Sequence, residues 1–270
     1  MSDPSGENMR DPHAEGRPQP AGDEAQHAAA LAELETRFER AMASMYLAYQ
    51  PIVRATGGEV YGYEALMRPN DAEIPHPGAM LDAAERLHRL PSLGRHIRSL
   101  AAKRYGSEPE DRGALFLNIH ALDLMDKQLA SKWTPLAKIA SRVVIEITER
   151  ASLEDIADVK FKVAELRELG YRIAIDDLGA GHERMTSFDP TDTDVVKLDI
   201  SLVRDIHKHP VKQQLASSII QLCRENGILV IGEGVEVLDE ARVLTDIGCD
   251  LLQGYYFAKP GPDFPTPTPH

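Results

Sequence analysis

Cysteine is nearly absent from this chain: there are two in 270 residues, Cys223 and Cys249, and they do not form a C-x-x-C pair. That count excludes a disulfide framework and a cysteine-based zinc site, and leaves two ordinary buried thiols. Positive charge is also short, with 30 Lys and Arg against 43 Asp and Glu for a net charge of −13. A protein that grips a nucleic-acid polymer needs a basic face that releases counterions, so that class of partner is excluded. Any phosphate ligand must be met locally. Long apolar runs are missing too. None approaches the roughly 18 residues of a membrane span, and the N-terminus lacks the basic-then-apolar layout of a secretory signal, so the expectation is a cytoplasmic protein with no membrane span.

What is present suits one substantial α/β domain, since 43% of the residues are hydrophobic and a core of that size fits a single domain better than two. Residues 1–26 contain no Leu, Ile, Val or aromatic residue and read as disordered. Residues 27–45 follow as an amphipathic helix, with Leu31, Leu34, Phe38, Ala41, Met42 and Met45 at three-and-four spacing. The main domain takes 46–262, and the proline-rich residues 263–270 read as an irregular tail. Within the domain, "LAYQPIV" and "VYGYEALMR" flank a "TGGE" turn as a hairpin. The runs "ALFLNIH", "VVIEITE", "YRIAIDD", "DVVKLD", "ILVIGEG" and "LLQGYYF" then alternate with helical patterns such as Leu153 to Leu169 and Ser201 to Glu225. This rhythm belongs to a β/α barrel or a doubly wound sheet. There is no internal repeat.

Nearly every one of these strands ends in a useful polar residue: Glu64, Asn118, Glu146, the pair Asp176 and Asp177, Lys197, Glu233 and Gln253. In a parallel barrel such residues converge on one face. So many carboxylates are tolerable together if divalent cations neutralise them, and oxygens of Glu, Asp and Asn suit hard ions such as Mg²⁺ or Mn²⁺ rather than zinc. Adjacent aspartates allow one carboxylate to bridge two ions while the other holds the second, as two-metal phosphoryl transfer requires. Lys197, read alone inside its apolar strand, is a salt bridge to Asp194 or Asp199; beside the acids it becomes a group that orients water, takes its proton or stabilises charge on a phosphate.

At this point the chain resembles an EAL domain, the family of cyclic di-GMP phosphodiesterases, from about Leu47 to about Pro260. The motifs that carry the resemblance are "YQPI", "YEALMR", "FLNIH", "EITE", "DDLGAG", "VVKLD", "GEGVE" and "QGYYF", in family order. The resemblance implies a modified TIM-type (β/α)₈ barrel with an antiparallel first strand, cyclic di-GMP as partner, and two Mg²⁺ or Mn²⁺ ions per site. It implies Glu64, Asn118, Glu146 and Asp176 as ligands of the first metal, Asp176 bridging to a second ion held with Asp177, and Glu233 either on that ion or paired with the lysine. Lys197 matches the catalytic lysine and Gln253 the glutamine that supports the water and the metal site. Arg68 and Leu66 match the substrate side, as does Gln50, and Glu149 matches a glutamate that shapes the loop after the aspartates. The implied reaction is metal-dependent hydrolysis to linear 5'-pGpG, which lowers the second messenger in bacterial signalling.

The chain departs from the family in that loop, where Leu178, Ala180 and then His182, Glu183 and Arg184 stand in place of the usual "DDFGTGYSSL" residues. In the family the loop couples substrate binding to dimerisation, so a homodimer is left open, and an upstream sensor or partner protein would supply the input. His120, His182 and His207 to His209 read as surface or loop histidines, and Tyr255, Tyr256 and Phe257 as core unless one of them borders the guanine. The competing functions are a catalytically weak or inactive receptor for cyclic di-GMP or a protein partner, and a barrel enzyme acting on another phosphodiester. Degenerate family members lose metal ligands or the lysine, and all of those are present here, which favours the enzyme.

Overall fold

The computed structural model describes residues 20–148, 159–178 and 192–268. Eight strands close into a barrel in chain order: β1 (Tyr46–Arg54), β2 (Val60–Arg68), β3 (Ala114–Ile119), β4 (Val143–Thr148), β5 (Arg172–Leu178), β6 (Val195–Leu198), β7 (Leu229–Gly232) and β8 (Leu251–Gln253). Strand β1 is antiparallel to both neighbours, β2 and β8, and the other six pairs are parallel. The barrel with a reversed first strand is thus the fold that forms. The helices are α1 (Pro20–Ser44), α2 (Pro77–Arg86), α3 (Leu90–Tyr105), α4 (Val159–Glu168), α5 (Ile200–Val203), α6 (Pro210–Glu225) and α7 (Leu238–Asp246). No described helix is long and apolar enough to cross a membrane.

Strand side chains alternate between faces, and that alternation builds the molecule in shells. The outward residues of β2 to β5, such as Leu115, Leu117, Ile145 and Ile173, pack with α3 and α4. Those of β6 to β8, such as Val196, Val230 and Leu252, pack with α5, α6 and α7, and include both free cysteines, which are buried as expected. The inward residues Ile52, Phe116, Val144, Ala174, Val195, Ile231 and Leu251 meet on the barrel axis as an apolar floor. Burying each large aliphatic side chain contributes about 1.5–3 kcal/mol. One more inward step along each strand reaches a polar residue.

Two expectations about helices change. Helix α1 begins at Pro20, inside the segment read as disordered; residues 21–30 are rich in alanine, the strongest helix former, and proline is at home in a first turn. Its inner face buries Phe38, Ala41 and Met42, and Met45 follows, against Met80, Ala83 and Ala84 of α2. Arg40 pairs with Asp71 (2.5 Å) and Glu73, and Arg89 with Glu35 (2.5 Å) and Glu39, which fixes the helix to the domain. The helix expected over Ser201 to Glu225 is divided instead: α5 ends at Val203, Asp205 turns through φ +56, and α6 restarts at Pro210. Proline lacks the N–H a helix interior needs and pushes the residue before it out of helical conformation.

The residues beyond β8 are irregular but not loose. Gly261 exchanges two backbone hydrogen bonds with Tyr49, at 2.7 and 3.0 Å. Phe264 is only 5% exposed and sits among Tyr49, Tyr63 and Tyr105, with Arg104 over its ring at 4.6 Å. It holds a left-handed φ of +52, a conformation that costs a non-glycine residue on the order of 1–3 kcal/mol and that its burial offsets. Phe264→Ala should therefore lower the unfolding free energy by about 3–5 kcal/mol, read by urea denaturation. A loss under about 1 kcal/mol would show that the segment is not an anchor.

Candidate active site

The polar layer lies two residues beyond the floor on each strand. Phe116 is followed by Asn118, Val144 by Glu146, Ala174 by Asp176, Val195 by Lys197, Ile231 by Glu233 and Leu251 by Gln253, while Gly62 precedes Glu64. Sheet register sets these side chains side by side, Asn118 opposite Glu146 and Glu64 opposite Gln50. Each of the residues read from the strand ends is therefore brought to one mouth, except that the side chain of Asp177 lies outside the described residues. Glu149, His182, Glu183 and Arg184 lie outside them as well.

At the centre is Lys197, 1% exposed. Its Nζ stands 2.8 Å from Glu146 Oε1, 2.8 Å from Glu233 Oε1, 3.5 Å from Glu64 Oε2 and 3.6 Å from Asp176 Oδ1. The sequence neighbours proposed as its partners are engaged elsewhere: Asp194 pairs with Arg167 at 2.5 Å, and Asp199 caps α5 by accepting from Ser201 N. Both point off the barrel axis, because a neighbour at odd spacing faces the opposite side and Asp199 has already left the strand. Asn118 Nδ2 donates to Glu64 Oε1 and Gln253 Nε2 to Glu64 Oε2, each at 2.7 Å.

Burial resists ionisation of Glu64, yet Lys197 and the two amide donors outweigh it and hold the carboxyl below its usual range. Glu146 goes the other way: burial and the charge of Glu64 push it well above that range. Burial likewise pushes Glu233 up to about 8 despite Lys197. Burial would lower the ammonium of Lys197, but the surrounding carboxylates overcome it and raise it well above normal. One cation therefore does not compensate this cluster. Beyond the Lys197 ammonium at 2.8 Å from Oε1, neither oxygen of the buried Glu146 has a hydrogen-bond partner among the described residues, which leaves acceptor capacity for a further cation. The set of Glu, Asp and Asn oxygens fits a hard divalent ion.

Above the layer, a cavity of about 320 Å³ is lined by Glu64, Leu66, Glu233, Gln253, Ile200 and Tyr255, among others. Tyr255 is 57% exposed, so of the three aromatics read as core it belongs to the cavity wall, while Phe257 is buried. Gly254 makes this approach of β8 to the next loop feasible: a Cβ there would stand 2.0 Å from Val235 O. A second groove of about 280 Å³, walled by Leu66, Arg68, Leu81, Ile97, Asn118 and His120, adjoins it through Leu66. Arg68 donates to Met67 O at 2.8 Å. His120 is exposed as expected, and its Nδ1 accepts from Leu122 N at 3.1 Å. Outside the Lys197 cluster, Asp205, His207 and Glu240 bring ligand atoms within 4.8 Å of one another. Glu240 there accepts from three backbone N–H groups, and Asp205 pairs with Lys208 at 2.7 Å.

Comparison with known proteins identifies the family. A family model described as the EAL domain matches residues 32–260. The signaling protein YkoW of Bacillus subtilis (strain 168) is 31% identical over 229 residues, covering 80% of this chain and 28% of that protein. The cyclic di-GMP phosphodiesterase PdeR of Escherichia coli (strain K12) is 31% identical over 244 residues, 85% of this chain and 36% of that one. The manganese and cyclic di-GMP complex of Klebsiella pneumoniae BlrP1 superposes with a TM-score of 0.68 at 30% identity, covering 81% of this chain and 56% of that chain. The chain spans roughly a third of the length of these two curated relatives.

Lys197→Met should lower the unfolding free energy by about 3–5 kcal/mol near pH 8, because it strips a buried cluster of its cation. Without the ammonium the pKa values of Glu146 and Glu233, already raised, rise further, and Glu64 loses the charge that holds it low. The penalty is then full above those raised values and fades as pH falls toward the ordinary carboxylate range. Urea denaturation near pH 8 and near pH 5.5 reads the difference; equal losses would mean that the carboxylates are not what the lysine compensates.

Proposed function

Because this chain belongs to the EAL domain family, whose model spans residues 32–260, we propose that it hydrolyses one phosphodiester bond of cyclic di-GMP to give linear 5'-pGpG. The observation that carries the reading is the dry cluster of Lys197 with Glu64, Glu146, Asp176 and Glu233, capped by two amides, at the carboxyl ends of the barrel strands. The active-site face of such barrels is that end. PdeR is named as a phosphodiesterase for this nucleotide, and BlrP1 holds manganese with it.

Glu64, Asn118, Glu146 and Asp176 would hold a first Mg²⁺ or Mn²⁺, and Asp176, Asp177 and Glu233 a second. Such ions supply Lewis acidity at the phosphate and make water a nucleophile near neutral pH. Asn118 Nδ2 donates to Glu64 Oε1, which leaves its Oδ1 as the oxygen able to ligate. Lys197 keeps its proton, since four carboxylates raise its pKa, and so acts as a donor that orients water and stabilises charge on the attacked phosphate. Glu233 Oε1, 2.8 Å from Lys197 Nζ and raised to about 8, holds its own proton near neutral pH until a cation displaces it. The apolar groove with Leu66, Arg68 and His120 suits a base with its phosphate nearby. Input from a sensor or a second copy would reach this groove through α1, whose inner face packs on α2.

Incubation with cyclic di-GMP and Mg²⁺ or Mn²⁺ should yield pGpG by chromatography, and Glu64→Ala should reduce the rate by more than about 100-fold, beyond the loss typical of a ligand's supporting partners. Tight nucleotide binding with no product would replace this reading by the receptor. Metal binding should also release protons from Glu146, held well above the usual carboxylate range, and from Glu233, raised to about 8. Calorimetry in buffers of different ionisation enthalpy measures that release, and the apparent metal affinity should fall as pH falls.

A further inference from the structure

Gln50 stands where a substrate contact was expected, yet both ends of its amide are spent inside the protein. It is 7% exposed. Its Nε2 donates to the backbone carbonyl of Ala258 at 3.1 Å, and its Oε1 accepts from Gln253 Nε2 at 3.2 Å. Gln253 Nε2 donates its other hydrogen to Glu64 Oε2 at 2.7 Å. The two ends of this chain of bonds decide the orientation of everything between them. A peptide carbonyl can only accept, so Gln50 must face Ala258 with its nitrogen and Gln253 with its oxygen. The carboxylate of Glu64 can likewise only accept, so Gln253 must face it with nitrogen. Turning either amide over would set nitrogen against nitrogen or oxygen against oxygen. With both N–H groups used, the Oε1 of Gln253 is left buried and with no donor among the described residues, in a side chain only 3% exposed.

We infer that Gln50 is a positioning residue: it locks the amide of Gln253 so that Oε1 is presented as an acceptor at the reaction site and Glu64 is held by the nitrogen. The relay begins at Ala258, three residues before Gly261, whose backbone pairs with Tyr49. The direction of β1 makes the arrangement possible. Gln50 lies opposite Glu64 and Ile52 lies opposite Gln253, so the inward face of one strand spans both partners.

The inference rests on the hydrolytic reading for its kinetic effect, not for its geometry, and a double-mutant cycle separates the two. Gln50→Met, Gln253→Met and the double variant are made in the full chain. Mn²⁺ affinity is measured by electron paramagnetic resonance without nucleotide, and kcat and KM are measured with cyclic di-GMP. Gln50→Met should reduce kcat and Mn²⁺ affinity by about 10–100-fold, the usual effect of losing a ligand's support, with KM little changed. In the Gln253→Met background it should add less than about twofold, because residues acting through one another are not additive. A raised KM with kcat and Mn²⁺ affinity unchanged, or full additivity, overturns the inference and makes Gln50 a substrate contact. If the unaltered protein makes no pGpG, the hydrolytic reading fails while the Mn²⁺ cycle still decides the relay. Should Gln50→Met not fold, Gln50→Glu keeps the shape and the acceptor facing Gln253 while removing the donor to Ala258, and enters the same cycle with the same two outcomes.

Discussion

The attraction between one buried ammonium and the carboxylates around it is the constraint on which this molecule turns. Lys197 is as dry as the floor beneath it, and four acids from four other strands approach within 2.8–3.6 Å. In a low-dielectric interior such charges are expensive singly and strongly coupled together. The barrel must therefore bring β2, β4, β5, β6 and the end of β7 to one level. Too few positive charges remain at that level to satisfy the acids, and this is what makes the mouth chemically ready for cations.

Much of this was legible because strand geometry is simple. An apolar run that ends in a lone polar residue places that residue one inward step above the floor, and six strands follow the rule in the same direction along the chain. Gln50 does not. On the reversed β1 the polar residue precedes its floor partner Ile52, so a search for polar strand ends passes over it, and only the family likeness drew attention to it, with a different role. Asp194 and Asp199, the partners read for Lys197 taken alone, are near in sequence, while the acids that surround it lie 21 to 133 residues away. Sequence proximity carries no information about which residues share the barrel axis.

Two further features escaped for related reasons. Tyr255 looks like its neighbours Tyr256 and Phe257, but it follows Gly254, whose backbone lies against Val235, and it lines the cavity. The segment after Gly261 has the composition of a loose tail, yet a single aromatic, Phe264, finds three other rings and two arginines. Composition averages over such a residue, whereas packing depends on it alone.

The pairing of β1 with β8 also orders events in time. These strands are separated by almost two hundred residues, Arg54 meeting Leu251, and a ribosome adding about 5–20 residues per second needs on the order of 10–40 s to cover that distance. During that interval β1 has its hairpin partner but an open outer edge, and the acids of β2, β4 and β5 exist before their lysine is made. A nascent chain of this kind has to wait with an unpaired strand edge exposed, a liability that ends only when β8 is made.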